Sequence, residues 1–269
     1  MLYTKLNVSR GYWAPNIAEL GSNGIHEGTS RYELGDADLK AESSLQFDYT
    51  FGVNGEHISA EADIFHNGIY QYIFQRKLSS ALGGDSITAG SETFKFVQGD
   101  ARLMGGEIRI DLHPHPLDWI HYENTFSYVE GYQHNQPDSS RYLPLIPPPR
   151  WQSSLRVDIE SAGKLFHNIF VQIESDFFFK QDKYYAAYGT ETATPRYILF
   201  NLGMGTDIIA KGKTLCSFYV SMNNLTDVTY QSHLSRLKYT DINYATNRMG
   251  IYNMGRNISF ELIIPVNII

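Results

Sequence analysis

The stretch Asn7-Val8-Ser9-Arg10-Gly11-Tyr12-Trp13-Ala14-Pro15-Asn16-Ile17-Ala18-Glu19-Leu20 begins as a strand, passes through two aromatics and breaks at Ala-Pro-Asn. A polar segment follows and closes at Gly35-Asp36-Ala37-Asp38-Leu39-Lys40-Ala41-Glu42. Together they read as an upward strand of a membrane β-barrel and the long loop that crosses to the next strand. The rest of the chain repeats that design with other loops.

Outward from this stretch, alternation is the dominant pattern and helical signals are few. In Trp151-Gln152-Ser153-Ser154-Leu155-Arg156-Val157-Asp158-Ile159-Glu160 the odd positions are mostly apolar and the even ones polar or charged. Successive strand side chains point to opposite faces, so one face is oily and the other wet. Ile58, Ala60, Ala62 and Ile64 oppose Ser59, Glu61 and Asp63; Met104, Gly106, Ile108, Ile110 and Leu112 oppose Glu107, Arg109 and Asp111. Ile198, Phe200, Leu202 and Met204 make another oily row, as do Ile258, Phe260, Leu262, Ile264 and Val266. The charged face is read as the lumen, because a charge facing lipid at mid-depth costs about 2–4 kcal/mol. Trp119, Tyr122, Tyr128, Trp151, Phe177 and Phe179 lie near strand ends, where aromatic girdles form.

A soluble sandwich alternates too, so strand length and spacing decide. Ten strands are expected, near 1–10, 42–53, 56–73, 99–112, 118–132, 149–161, 165–180, 196–209, 213–224 and 252–265. Most reach the roughly 9–11 residues of a tilted membrane strand, against about 5–6 for a soluble one. Short turns at 53–56, 113–117, 161–164 and 210–213 alternate with long connections near 11–41, 74–98, 133–148, 181–195 and 225–251. Asn54-Gly55 and Gly163-Lys164 supply the positive φ of tight hairpins. An up-and-down antiparallel barrel puts all short turns on one side and all long loops on the other. The chain is one unit over 1–269, with no domain boundary.

Composition agrees. Of 269 residues, 19 are Tyr and 15 Phe, and charged residues are 19% against about 25% in average proteins. A net charge of −7 argues against a nucleic-acid partner, which needs a basic face. The lone Cys216 permits no disulfide and reads as a packing residue. No run has the roughly 18 apolar residues of a spanning helix. Met1-Leu2-Tyr3-Thr4-Lys5-Leu6-Asn7 holds no signal peptide, so an export signal is expected outside the chain.

No catalytic arrangement stands out. There is no Gly-x-Ser-x-Gly elbow, no His-Glu-x-x-His and no phosphate-cradling glycine loop. Glu160, Glu174, Asp176 and Asp207 read as solvated lumen carboxylates. His113-Pro114-His115 with His121, near Asp118, has metal-like spacing, but it reads first as a Pro-stiffened turn with solvated histidines, so no metal ligand and no cofactor is assigned.

The opening stretch also resembles the C-terminal barrel half of TonB-dependent outer-membrane receptors. That family reads Phe-Arg-Ala-Pro at the first site and Gly-Asn-Pro-x-Leu-x-Pro-Glu at the second. Here Tyr12-Trp13 replaces Phe-Arg, Asp36-Ala37 replaces Asn-Pro, and Ala41 stands for the second Pro. Ser221-Met222-Asn223-Asn224-Leu225-Thr226-Asp227 is similar to the family's Asn-Leu-Phe/Thr-Asp turn, and Gly255-Arg256-Asn257-Ile258-Ser259-Phe260 to its terminal strand. The family ends in an aromatic; this chain ends Val266-Asn267-Ile268-Ile269.

The resemblance implies the last ten strands of a 22-stranded barrel, without the plug domain and the TonB-contacting box, in the Gram-negative outer membrane. It implies lipid and a metal-chelate ligand as partners, with TonB acting only through the missing plug. Either the native chain is longer or ten strands close alone, because an unpaired edge is intolerable in lipid. The long loops carry aromatics and a few arginines, which suit an anionic, partly apolar chelate such as a siderophore or haem. Loop histidines suit haem iron or a bare metal ion. The candidate ligand contacts are His26, Arg31, Tyr72, Tyr184, Tyr185, His233, Arg236 and Tyr239, within a wider set that includes Glu27, Tyr32, Tyr70, Tyr188, Arg196 and Tyr244. The plainer reading of each is loops packing on one another. The rival function is a self-contained ten-stranded barrel, either a protease using Asp241 with His233 or a passive pore.

Overall fold

The computed structural model describes residues 1–266; the expected ending at Asn267-Ile268-Ile269 lies outside them. Ten long strands form one antiparallel sheet in chain order. They are β1 (Leu2–Trp13), β2 (Glu42–Asn54), β3 (Ile58–Lys77), β4 (Ser91–Leu112), β5 (Ile120–Gln133), β6 (Arg150–Ala162), β7 (Phe166–Phe178), β8 (Tyr197–Ala210), β9 (Lys213–Asn223) and β10 (Asn257–Ile263). The short-turn and long-loop alternation holds throughout. Among the described residues, no helix is long and apolar enough to cross a membrane.

The two faces divide as the period-two pattern requires. Phe47, Tyr49, Phe51, Ile64, Ile108 and Phe200 are exposed on the oily face. The wet face is cross-linked between strands. Tyr3 Oη donates to Glu61 at 2.5 Å, Asn7 to Asp48 at 2.9 Å, and Asn201 to Glu174 at 3.0 Å. Asp207 accepts from Ser217 at 2.6 Å and from Asn168 at 2.7 Å. Arg150 forks onto the buried Asp176. Glu174, Asp176 and Asp207 are therefore ladder cross-links rather than freely solvated groups, because neighbouring strands bring a donor opposite Glu174 and Asp207 and diagonal to Asp176.

Several features differ from the expected ones. β3 and β4 run 20 and 22 residues, so the connection near 74–98 is mostly strand. At about 3.3 Å per residue they reach some 65–75 Å, against an apolar band of about 25 Å, so their distal halves rise past the membrane as a wall. β10 is shorter than 252–265, and residues 252–256 belong to the preceding loop. The Ala-Pro-Asn break starts a five-residue helix, α1 (Ile17–Gly21). Asn16 Oδ1 accepts from Glu19 N at 2.9 Å while Glu19 Oε2 accepts from Asn16 N at 2.8 Å, a reciprocal cap.

Among the described residues, β1 pairs only with β2 and β10 only with β9. β10 is exposed along its whole length and β1 at every position but Tyr3.

Candidate functional site

The loop end of the sheet is built on the distal wall of β3 and β4. A bulge lets them bend there: Tyr70 and Gln71 together face Asp100, between the pairs Ile69–Ala101 and Tyr72–Gly99. Gln71 adopts the left-handed region (φ 60°), and its N–H is taken by Asp100 Oδ1 at 3.2 Å. Beyond the bulge, Tyr72 and Phe74 stack with ring centroids 6.1 Å apart.

The loop between β1 and β2 folds onto this wall. Asn23–His26 pairs with Arg31–Leu34, and Arg31–Leu34 in turn pairs in parallel with Thr93-Phe94-Lys95 of β4. Asp36 of the same loop reaches Lys95 at 2.9 Å. That contact and the Asp38 N–H hold the Asp36 carboxyl below the usual range. The Arg31 guanidinium sits 4.2 Å from the Phe94 ring centroid. Phe94 is fully buried and meets Tyr188 edge-on at 5.1 Å. Tyr188 Oη accepts from Lys77 N at 3.1 Å, tying the β7–β8 loop to the wall.

These contacts frame an open cavity of about 270 Å³ whose lining includes Arg31, Tyr72, Phe74, Gln133, Tyr185 and Tyr188. Burial pushes the Tyr185 phenol above its ordinary value. One fixed cation, three phenols and aromatic walls suit an anion carried on an apolar or aromatic body.

Of the eight expected ligand contacts, Arg31, Tyr72 and Tyr185 converge on this cavity. Tyr184, next to Tyr185 in sequence, is half-buried, and His26 and Arg236 are exposed. His233 and Tyr239 serve another purpose. His233 is buried, with Nδ1 2.9 Å from Thr194 Oγ1 and Nε2 3.6 Å from Glu191 Oε2. Tyr239 Oη accepts from Thr192 N at 3.0 Å. The buried Lys238 donates to Thr192 O, Ala193 O and Thr194 Oγ1 at 3.1, 3.1 and 2.7 Å. Burial pushes its amine below the usual lysine value. These contacts lock the β7–β8 loop to the β9–β10 loop. His233 thus faces Thr194 and Glu191, while Asp241 is exposed to solvent.

Glu191, Lys238 and Phe94 were missed in the sequence. Phe94-Lys95-Phe96 does alternate, but it follows a glycine- and serine-rich turn that reads as loop. Nothing in period or composition marks Glu191, whose partners Leu145 N and Tyr185 N come from two different loops at 2.6 and 3.3 Å.

The family model described as "TonB dependent receptor-like, beta-barrel" matches residues 2–225. No curated protein matches the chain by sequence. Among solved structures, the copper transporter OprC is similar over 98% of this chain, with a TM-score of 0.72 and 17% identity. The ferric enterobactin receptor PfeA of Pseudomonas aeruginosa gives 0.63 and 18% over 98% of the chain. The FrpB iron transporter of Neisseria meningitidis gives 0.67 and 12% over 98%. The chain spans only 37–38% of the length of these structures.

Proposed function

We propose, for a chain that belongs to the TonB-dependent receptor β-barrel family, that it supplies part of the wall and the ligand-catching loops of an outer-membrane receptor for an anionic metal chelate. The family is one of receptors, not of enzymes, and the protease reading falls with it. The observation that carries the ligand class is the convergence of Arg31, Tyr72 and Tyr185 on one cavity at the loop end. A guanidinium clamps carboxylate or catecholate oxygens, and the rings take the apolar body. The similar structures are a copper transporter, a ferric enterobactin receptor and an iron transporter, which fits a metal cargo.

The exposed β1 and β10 are read as seams that pair with further strands of the same barrel, since open edges are not tolerated in lipid. Coupling to TonB would then run through a plug outside this chain, and the chain alone would not transport.

The test is a fluorescence-quenching titration of the native receptor in detergent with a ferric catecholate chelate, haemin and free Cu²⁺. Saturable quenching by a chelate, weakened about tenfold or more in Arg31→Ala, is expected; a loss of 1.4 kcal/mol is one decade. Chelate binding that ignores Arg31→Ala, or binding only of neutral sugars, would remove this reading. Metal starvation should raise expression; induction by a sugar, with no response to iron or zinc, would point to a glycan receptor.

A further inference from the structure

At the opposite end of the sheet, the β4–β5 turn brings together three donors that the ligand-catching loops do not use. Asp111 ends the wet face of β4, and extending the Asp111–Glu123 and Leu112–Tyr122 register by one step sets His113 directly across from His121. Directly opposed residues share a face, with Cβ atoms about 4.5–5.5 Å apart. One ligand atom each from Asp111, His113 and His121 all lie within 4.8 Å of one another. All three side chains are half-buried on the lumen side. His115, which the sequence spacing groups with them, instead turns out to Asp118 at 3.3 Å in solvent.

We propose that Asp111, His113 and His121 form a binding site for a divalent transition-metal ion of the zinc–cobalt–copper class at the turn end of the wall. Two imidazoles and a carboxylate are the donor set such ions prefer, and a fourth position stays open to water. His113 Nδ1 already lies 3.3 Å from Asp111 Oδ2. That is about the separation of two donors held tetrahedrally at 2.0–2.2 Å from one ion.

Two further observations favour an ion over an ordinary ion pair. Asp111 Oδ1 and His113 Nδ1 are both sealed from solvent, and neither has a hydrogen-bond partner. Buried polar atoms normally have one. The nearby arginines also look elsewhere: Arg109 binds Glu107 at 3.0 Å, and Arg156, cross-strand partner of His121, forks onto Asp158 at 2.7–3.1 Å. The turn is held in shape without the ion. His113 N donates to His57 O at 3.0 Å, Leu117 N to Pro114 O at 2.6 Å and Ile120 N to Leu117 O at 2.8 Å. An ion would therefore meet donors already placed.

The test uses the native receptor without a histidine tag, purified in detergent, stripped with EDTA and titrated with Co²⁺, then with Zn²⁺ as competitor. One Co²⁺ per chain should bind, with the visible ligand-field absorption of a low-coordinate nitrogen–oxygen site, and Zn²⁺ should displace it. His121→Ala and Asp111→Asn should weaken binding by roughly tenfold or more, since even an outer-shell change costs 10–100-fold. His115→Ala and Arg31→Ala should leave it unchanged, which separates this site from the chelate cavity. Folding of each variant is checked by its gel shift on heating, and His121→Gln replaces the alanine variant if that fails to assemble. No stoichiometric uptake, or equal loss in His115→Ala and His121→Ala, would overturn the site.

Discussion

His233 Nε2 lies 3.6 Å from Glu191 Oε2, with both side chains buried between the β7–β8 and β9–β10 loops. Glu191 also accepts from the backbone N–H groups of Leu145 and Tyr185. One carboxylate thus joins the β5–β6, β7–β8 and β9–β10 loops. It also fixes Tyr185, which lines the cavity with Arg31 and Tyr72, so loop locking and the proposed ligand capture share a residue.

Glu191→Ala should therefore loosen the loops and spare the barrel. It strands two backbone donors, at about 1–3 kcal/mol for each one left buried and unpaired. Hydrogen exchange at the Leu145 and Tyr185 amides should accelerate by one to two decades, with the unfolding temperature of the strands unchanged. Unaltered exchange at both amides would show that water or another acceptor replaces the carboxylate.

Arg31→Lys tests whether shape or charge matters in the cavity. The planar guanidinium lies on the Phe94 ring at 4.2 Å, and an ammonium cannot stack that way or clamp two oxygens. Chelate affinity should fall nearly as far in Arg31→Lys as in Arg31→Ala. A lysine variant that binds like the wild type would reduce Arg31 to a point charge.

The Asp36–Lys95 contact makes the first loop sensitive to acid. The folded Asp36 carboxyl titrates below its unfolded value of about 3.9. Its contribution is therefore present above that value and is lost as pH falls through the lower, folded one. A nitroxide on Ala37→Cys, in a Cys216→Ser background, should gain mobility on acidification below about pH 4. In Lys95→Met it should be mobile at every pH. A line shape unchanged from pH 7 to 3 in the parent would show that the β-ladder at 32–34, not the ion pair, holds the loop.

The ten strands were readable because period-two alternation and the Gly163-Lys164 turn, with Gly163 at φ 70°, are local signals; the Asn54-Gly55 hairpin forms without the positive φ expected of it. The loop end was less so. The Gln71 bulge flips the alternation in mid-strand, and the distal β4 is masked by Gly83, Gly84 and Gly90 in the turn before it. The Asn16–Glu19 cap was present as Asn-x-x-Glu but overshadowed by Ala14-Pro15. His233 shows the deeper limit. Composition marks a loop histidine as a ligand, yet whether it meets a ligand or Thr194 depends on how two loops distant in sequence pack. The same holds for Asp111, which became a partner of His113 and His121 only once the hairpin register was known.

The wet face also carries a steric requirement. Gly205 is the direct partner of Phe170 on one side and Tyr219 on the other. A Cβ at this position would come 2.5 Å from the Phe170 ring and 2.4 Å from the Tyr219 ring. Arg156 packs over the Phe170 ring at 4.2 Å from its centroid, which limits how far that ring can shift. Gly205→Val should therefore destabilise the barrel by the roughly 1–3 kcal/mol of an overpacked site, measured by urea unfolding in detergent. Adding Tyr219→Ala should recover part of the loss, because residues that share a contact do not add independently. Equal penalties with and without Tyr219 would place the strain in the backbone of β8 rather than under the rings.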